Sequence, residues 1–483
     1  MPVKARPRLF APFGLFVPLL RPAPLPESAD KSARASPGTV RSALRYSVAE
    51  GALAEAFTAC TSNAMLTAWA LALDCKPLLF GVLWALPYLA QVVQFPAAWL
   101  SSRLGGRKTA IAAIAIARQL QLPLAVLPLL AVSLGAKQAV FTAVTALAAL
   151  LGVVGNNGWT TWMGELVPSR LRGRYFGRRT AVCTLAGTIA ALGAGVWIDA
   201  ARRHGLEREG LCCMAALACG IGALTSLLMR RQCEAPAAEP QPAPCWSTLL
   251  EPWRDGAVRS ALWFNLAWNA AVGLAASFFL LHMAENLGMG FLAISIYCAA
   301  VAVVRMLTST AWGAAIDRVG CKPVILCCTV GIAAIPALWT FAGPHHLWPV
   351  ALDVLLGGAL WAGFNQATFQ LPLRISPRRN RAFHLAAFST AGGLAFALAS
   401  ALGGAFAQAL PAHFLLRGHV WTGFEVLFIL STVARLGAVA LAVRLVEPGA
   451  QRVRNLWPAA GAPLQLAAQG AGIGESAPAR IEK

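Results

Sequence analysis

Apolar runs of about 20 residues recur along nearly the whole chain, separated by short stretches rich in Gly, Pro and basic residues. That length is what a helix needs to cross a bilayer core. Twelve such runs are read at 46–73, 78–100, 108–133, 138–162, 176–198, 208–229, 257–281, 290–312, 323–342, 347–371, 382–410 and 422–446. Three segments break the pattern. Residues 1–45 are Pro- and Arg-rich and read as a disordered basic arm. Its apolar stretch Leu9–Leu20 is short and interrupted by Pro12 and Pro18; Lys4, Arg6 and Arg8 before it also admit a cleaved signal peptide, but no small-x-small cleavage site follows. Residues 230–256 contain APAAEPQPAP and read as a linker, and 447–483 as a disordered tail. The expected architecture is an all-α polytopic membrane protein. Its twelve transmembrane helices would form two six-helix pseudo-symmetric bundles, 46–229 and 257–446.

Composition agrees. The chain is 58% hydrophobic and 12% charged, against about 25% charged in soluble domains. A net charge of +20 would suggest a nucleic-acid partner in a soluble protein. Here the charges sort by side of the membrane instead. With the amino terminus inside, 31 of the 40 Lys and Arg fall on the inner side, 6 fall in outer loops, and Arg118, Arg305 and Arg435 lie within spans. This bias predicts both termini in the cytoplasm, with lipid rather than nucleic acid around the chain. The twelve cysteines lack metal-ligand spacing and read as small buried hydrophobes.

Between two spans lies Trp312–Pro323, WGAAIDRVGCKP, with Gly313, Asp317, Arg318, Gly320 and Lys322. Glycines suit a tight reversal between crowded helices. Shifted by 215 residues, Ser102, Arg103, Gly105 and Arg107 align with Asp317, Arg318, Gly320 and Lys322. At an offset of 209, Pro168–Gly173 matches Pro377–Ala382 and Asn156 matches Asn365. A six-helix unit therefore reads as duplicated. The pattern G-x-x-x-D-R-x-G-x-K between two spans resembles the loop signature of the major facilitator superfamily, over about residues 46–446. The first copy departs from it, with Ala98 for glycine and Ser102 for the acid. The resemblance implies parallel repeats rocking about a site near the bilayer midplane, and hence transport of a small solute by alternating access, driven by protons or by the solute gradient. No cofactor or metal is expected, and the chain is expected to act as a monomer. Other readings of the same chain are a membrane-embedded lipid-modifying enzyme, which should show catalytic acids or histidines at one face, and a non-transporting sensor, which should add a soluble domain.

No P-loop, G-x-S-x-G or H-E-x-x-H motif occurs, so the chemistry rests on polar groups inside spans, which are costly there. Glu55 lies about ten residues into the first span, ~15 Å deep at 1.5 Å per residue, with Thr58 and Ser62 on its face. It is the candidate proton site. Arg305, near mid-depth, is the candidate for an anionic group of the solute. Asn156, Asn269, Asn365 and Gln366 could bond solute or tie helices together; Asn157 and Asn265 share that ambiguity. Glu50 reads as a rim residue. Arg118 is set lower because the resemblance puts the third helix of each triplet outside the cavity. Glu55 and Arg305 could instead form a buried structural pair. Asp353 and Glu425 lie about one turn from the outer face, and Arg435 deeper in a peripheral helix.

The gate is expected at the inner loops. Asp317 should approach the start of the fifth helix, near Arg172–Gly177, when the inner side closes, because a carboxylate is favoured at a helix start. Ser102 should make the weaker equivalent contact near Arg381. Local pairing of Asp317 with Arg318 or Lys322 is the alternative.

Overall fold

The computed structural model describes residues 37–167, 172–233, 251–376, 381–411, 413–416 and 419–456. The first half comprises α1 (Pro37–Thr61), α2 (Ala64–Ala72), α3 (Pro77–Leu89), α4 (Gln94–Leu104), α5 (Gly106–Gln119), α6 (Leu134–Leu166), α7 (Arg172–Arg203) and α8 (Glu207–Arg230). The second comprises α9 (Gly256–Ala276), α10 (Phe278–Glu285), α11 (Phe291–Val319), α12 (Cys321–Trp339), α13 (Trp348–Ile375), α14 (Arg381–Ala409), a hairpin of β1 (His413–Leu416) with β2 (His419–Thr422), and α15 (Gly423–Val443). Among the described residues, ten helical stretches are long and apolar enough to cross a membrane. Adding α1–α2 and α13 is consistent with twelve passes. Both are rich in polar groups: Glu50 and Glu55 in α1, and Asn365, Gln366, Thr368 and Gln370 in α13. The first pass also breaks at Asn63, whose φ is 53°. Apolar side chains face outward as a bilayer requires: Ile189, Leu307, Leu398 and Leu402 are each more than 60% exposed, which water would penalise.

Two boundaries differ from the sequence reading. α1 begins at Pro37, inside the stretch read as an arm, so Glu50 is its fourteenth residue rather than one turn from the rim. Residues 447–456 are ordered against the second half. The buried Glu447 carboxylate accepts from the Cys321 and Lys322 amides at 3.0 and 2.6 Å and meets Arg374 at 3.3 Å. It thereby satisfies orphan N–H groups at the start of α12. The rest of the tail, residues 1–36 and the linker centre lie outside the described residues.

The duplicated loops share their backbone. Gly105 and Gly320 have φ of 86° and 93°, a region open to glycine and costly for other residues. In each half a loop cation holds carbonyls of the segment that leaves the last helix. Arg107 donates to Gln232 O and Arg230 O at 3.1 and 2.9 Å. Arg318 donates to Asn455 O and Leu456 O at 3.3 and 2.6 Å.

The halves meet mainly on the face opposite these basic loops. One seam joins α3 to α14. A Cβ at Gly81 would stand 2.4 Å from Ser400 O, and one at Gly404 2.5 Å from Pro77 O, so only glycine lets the two backbones touch. Tyr88 stacks on Phe396 with centroids 3.7 Å apart. Ser400 Oγ bridges to Gly81 O at 2.9 Å and to Ser277 Oγ at 2.7 Å. The other seam joins the end of α7 to the start of α11. Asp199 accepts from the Phe291 and Leu292 amides, both at 2.8 Å, and Gly195 admits the α11 backbone beside it. A carboxylate on a helix start combines two charge-assisted hydrogen bonds with the helix dipole, together about 0.5–2 kcal/mol at a partly exposed site.

The sequence anticipated a carboxylate on a helix start across this pair of helices, but at the inner face and from Asp317. Here Asp317 is 81% exposed, and its carboxylate lies 3.8 Å from Arg374 of its own half, in place of the local partners Arg318 and Lys322. Ser102 lies in α4, and Arg172 and Arg381 are the first residues of α7 and α14. Arg103 rests over the Trp99 ring at 5.5 Å. The molecule is thus closed on the face away from the basic loops.

Asp199→Ala is expected to release the α7–α11 seam and shift the population toward the state open on that face, up to about tenfold for ~1.4 kcal/mol. Spin-label distances between the α7–α8 and α10–α11 turns report this; unchanged distance distributions would remove Asp199 from the latch.

Candidate functional site

A cavity of about 320 Å³ opens within the first half. Its walls are helical stripes. Glu50, Ala54, Phe57 and Thr58 come from one face of α1, and Ile114, Ala117 and Arg118 from α5. Ala148, Gly152, Asn156 and Trp159 come from α6, at i, i+4, i+8 and i+11. Arg179 enters from α7, and Glu55 completes the lining.

Three charges form its floor. Glu50, with 3% of its side chain exposed, lies 3.3 Å from Arg118 and 3.5 Å from Arg179. Arg118 also donates to Thr225 Oγ1 on α8 and lies 5.6 Å from the Phe57 ring centre. Arg179 stacks over Trp159 at 4.3 Å and donates from Nε to Ser47 O at 3.4 Å. An unpaired charge at this depth is strongly unfavourable, and removing one partner of a buried pair typically costs about 3–5 kcal/mol. Each arginine is held by an aromatic face as well as by the carboxylate. One guanidinium charge remains unbalanced by Glu50.

Glu55 is different. It is exposed to the cavity and makes no ion pair within 4.0 Å among the described residues. Gly187 of α7 sits against it; a Cβ there would stand 3.1 Å from the Glu55 Cβ. It therefore does not pair with Arg305. That residue is exposed on α11, opposite in helical phase to the outward-facing Ile296, Val303 and Leu307, and outside the cavity lining.

The amides divide. Asn156 lines the cavity, and its repeat partner Asn365 is exposed on α13. Gln366 donates to Ser309 O at 2.9 Å and tightens α13 on α11 beside Gly313. Asn269 donates to Asn265 O and Oδ1 at 2.8 and 3.0 Å, while Asn265 donates to Phe388 O at 2.9 Å. Gln366 and Asn265 thus hold helices together, while Asn269 bonds within its own helix.

Two sequence readings are corrected. Glu50 is not a rim residue, because α1 starts earlier than its apolar run. Arg118 is not outside the cavity, because α5 packs along both α6 and α8 and turns it inward. Arg179 and Asp199 were missed: one was counted among loop cations, the other sits at the end of an apolar run. In the second half, Asp353 accepts from Tyr297 Oη at 2.7 Å and Trp339 Nε1 at 3.0 Å. Glu425 closes a capping box with Thr422. The fully buried Arg435 donates to Ile332 O at 3.2 Å. Asp353 and Arg435 tie helices, Glu425 caps its own, and none of them lines the cavity.

No curated protein matches the chain. Among solved structures, a mutant form of the nucleoside transporter NupG aligns at 14% identity with a TM-score of 0.64, covering 84% of this chain and 100% of that one. A D-xylose–proton symporter aligns at 16% and 0.64, covering 85% and 98%. The inward-open xylose transporter XylE from E. coli aligns at 15% and 0.62, covering 86% and 99%. At these identities the likeness establishes the fold. The sequence model of the Major Facilitator Superfamily matches residues 262–473. That match spans the second half of the chain, and over it the chain is similar to the Major Facilitator Superfamily.

Proposed function

We infer that this protein is a transporter rather than an enzyme, and that it moves a small solute across the membrane by alternating access through the cavity of its first half. The observation that carries this reading is a cavity lined by buried charges, in a molecule whose halves, among the described residues, meet mainly on one face. Opening of the α3–α14 and α7–α11 seams, with closure at the basic loops, would expose the same charges to the other side. The similar structures include carriers of a nucleoside and of xylose, one of them a proton symporter, which supports a gradient-driven small solute.

Glu55 is assigned the coupling proton, since it is the lining carboxylate without an ion-pair partner among the described residues. Arg305 is assigned to meet an anionic group as α11 closes over the solute. Asn156, Asn269, Asn365 and Gln366 complete the assigned substrate set, Asn156 from the lining itself and the others from the second half. Ser102, Arg103, Gly105, Arg107, Arg172, Gly313, Asp317, Arg318, Gly320, Lys322 and Arg381 form the gate at the basic face. There, the carboxylate of Asp317 is free to meet the start of α7 when that face closes. We propose a bacterial inner-membrane monomer with bundles at 46–229 and 257–446; the distribution of Lys and Arg supports both termini in the cytoplasm.

In proteoliposomes, Glu55→Gln is expected to fold normally and to lose the acceleration of solute transport by a pH gradient. Retained acceleration would reassign Glu55 to structure. For the orientation, a cysteine at position 240 in a cysteine-free background should resist an impermeant thiol reagent in intact cells; labelling there would invert the topology.

A further inference from the structure

The cavity lining holds two carboxylates and two guanidiniums, so its own charges cancel, yet they are not evenly spread. Glu50 is shared between Arg118 and Arg179. That end is left with one net positive charge, framed by the rings of Trp159 and Phe57. Glu55 stands one and a half turns further along α1 with no ion pair within 4.0 Å among the described residues, so its end is net negative. The titratable groups around it are Arg179 and Cys183 of α7 and Glu50 of its own helix.

Occlusion is the step that selects the solute. When both faces are shut, any net charge carried in must be compensated inside a low-dielectric bundle, and an uncompensated one is costly. A solute with a single charge satisfies one end and leaves the other uncovered. A neutral sugar satisfies neither fully. The volume, about 320 Å³, sits at the lower end of the ~300–1,000 Å³ usual for small-molecule sites.

We propose, resting on the assignment of this cavity as the transport site, that the cargo is a small zwitterion of the amino-acid class. Its carboxylate binds at the Arg118–Arg179 end and its ammonium at Glu55. The Arg118 and Arg179 guanidiniums supply N–H donors beyond those turned to Glu50, and a carboxylate accepts such donors well. Glu55 binds the ammonium only when ionised. Proton and cargo therefore compete for one carboxylate, and carrying the cargo one way returns a proton the other way. Arg305, outside the lining, reaches the cargo only as α11 closes.

The test is thermal melting of the purified full chain with three matched sets of probes: the common amino acids with glycine betaine, the amino-acid methyl esters, and the N-acetyl amino acids. Xylose and uridine serve as neutral controls. A ligand bound to the folded state raises the melting temperature in a saturable way. At least one amino acid or betaine is expected to do so. Its ester, lacking the anion, and its N-acetyl form, lacking the cation, are expected to bind at least tenfold more weakly. Glu55→Gln should lose the zwitterion tenfold or more while leaving the weak N-acetyl binding unchanged. Arg179→Lys, which keeps the charge and guards against misfolding, should weaken it less than Arg179→Gln. Equal binding of zwitterion and half-charged probes would overturn the proposal, as would stabilisation by no zwitterion. If xylose or uridine alone binds and depends on Glu55 or Arg179, the cargo class is wrong while the cavity assignment survives. If every bound probe ignores both variants, the cavity assignment itself fails.

Discussion

The ion cluster of Glu50 with Arg118 and Arg179 is the constraint around which the first half is built. A carboxylate buried in a helical bundle must be neutralised or fully partnered. Two arginines reach it from α5 and α7, 3.3 and 3.5 Å away. Thr225 of α8 holds one of them, and Trp159 of α6 holds the other. Five helices are thereby fixed about a point that apolar packing alone would have closed. The cavity exists because its floor is charged.

Backbone proximity sets the other constraint. Gly81 and Gly404 bring α3 onto α14, and Gly195 brings α11 onto α7. Contacts this close are either made or broken, since a packed seam has little room for intermediate spacings. The Asp199 carboxylate on the start of α11 adds polarity to one such seam. At the opposite face Asp317 waits on the end of α11 with most of its surface exposed. One helix, α11, thus carries the Asp199 contact at its start and the proposed gate residue Asp317 near its end. Rocking of one half on the other can exchange the first for the second.

Much of this was legible in the sequence. Apolar runs gave the passes, the Lys and Arg bias gave two faces, and the 215-residue offset paired Gly105 with Gly320, which share a positive φ. The cavity was only half legible. Glu55 and Asn156 could be picked because polar residues inside spans are rare. Glu50 could not be placed, because α1 runs nine residues ahead of its apolar segment. Arg118 and Arg179 are 68 and 129 positions from Glu50 in sequence, and no local pattern links them; only the packing of α5 and α7 against the neighbouring helices does. Asn269 and Gln366 read the same as Asn156 in sequence; Gln366 is bonded to a neighbouring helix and Asn269 to Asn265 of its own, while Asn156 lines the cavity.

The central claim is that this charged cavity is the solute pathway and opens to the basic face in the conformation seen here. Thr58 lines it and is exposed. A cysteine at position 58, in a background lacking the native cysteines, tests the claim in sealed membrane vesicles of both orientations with an impermeant thiol reagent. The account predicts modification when the basic face is turned outward, little when it is turned inward, and a reversal of that preference when Asp199→Ala is added. Equal modification from both faces, or modification from the opposite face alone, would contradict it.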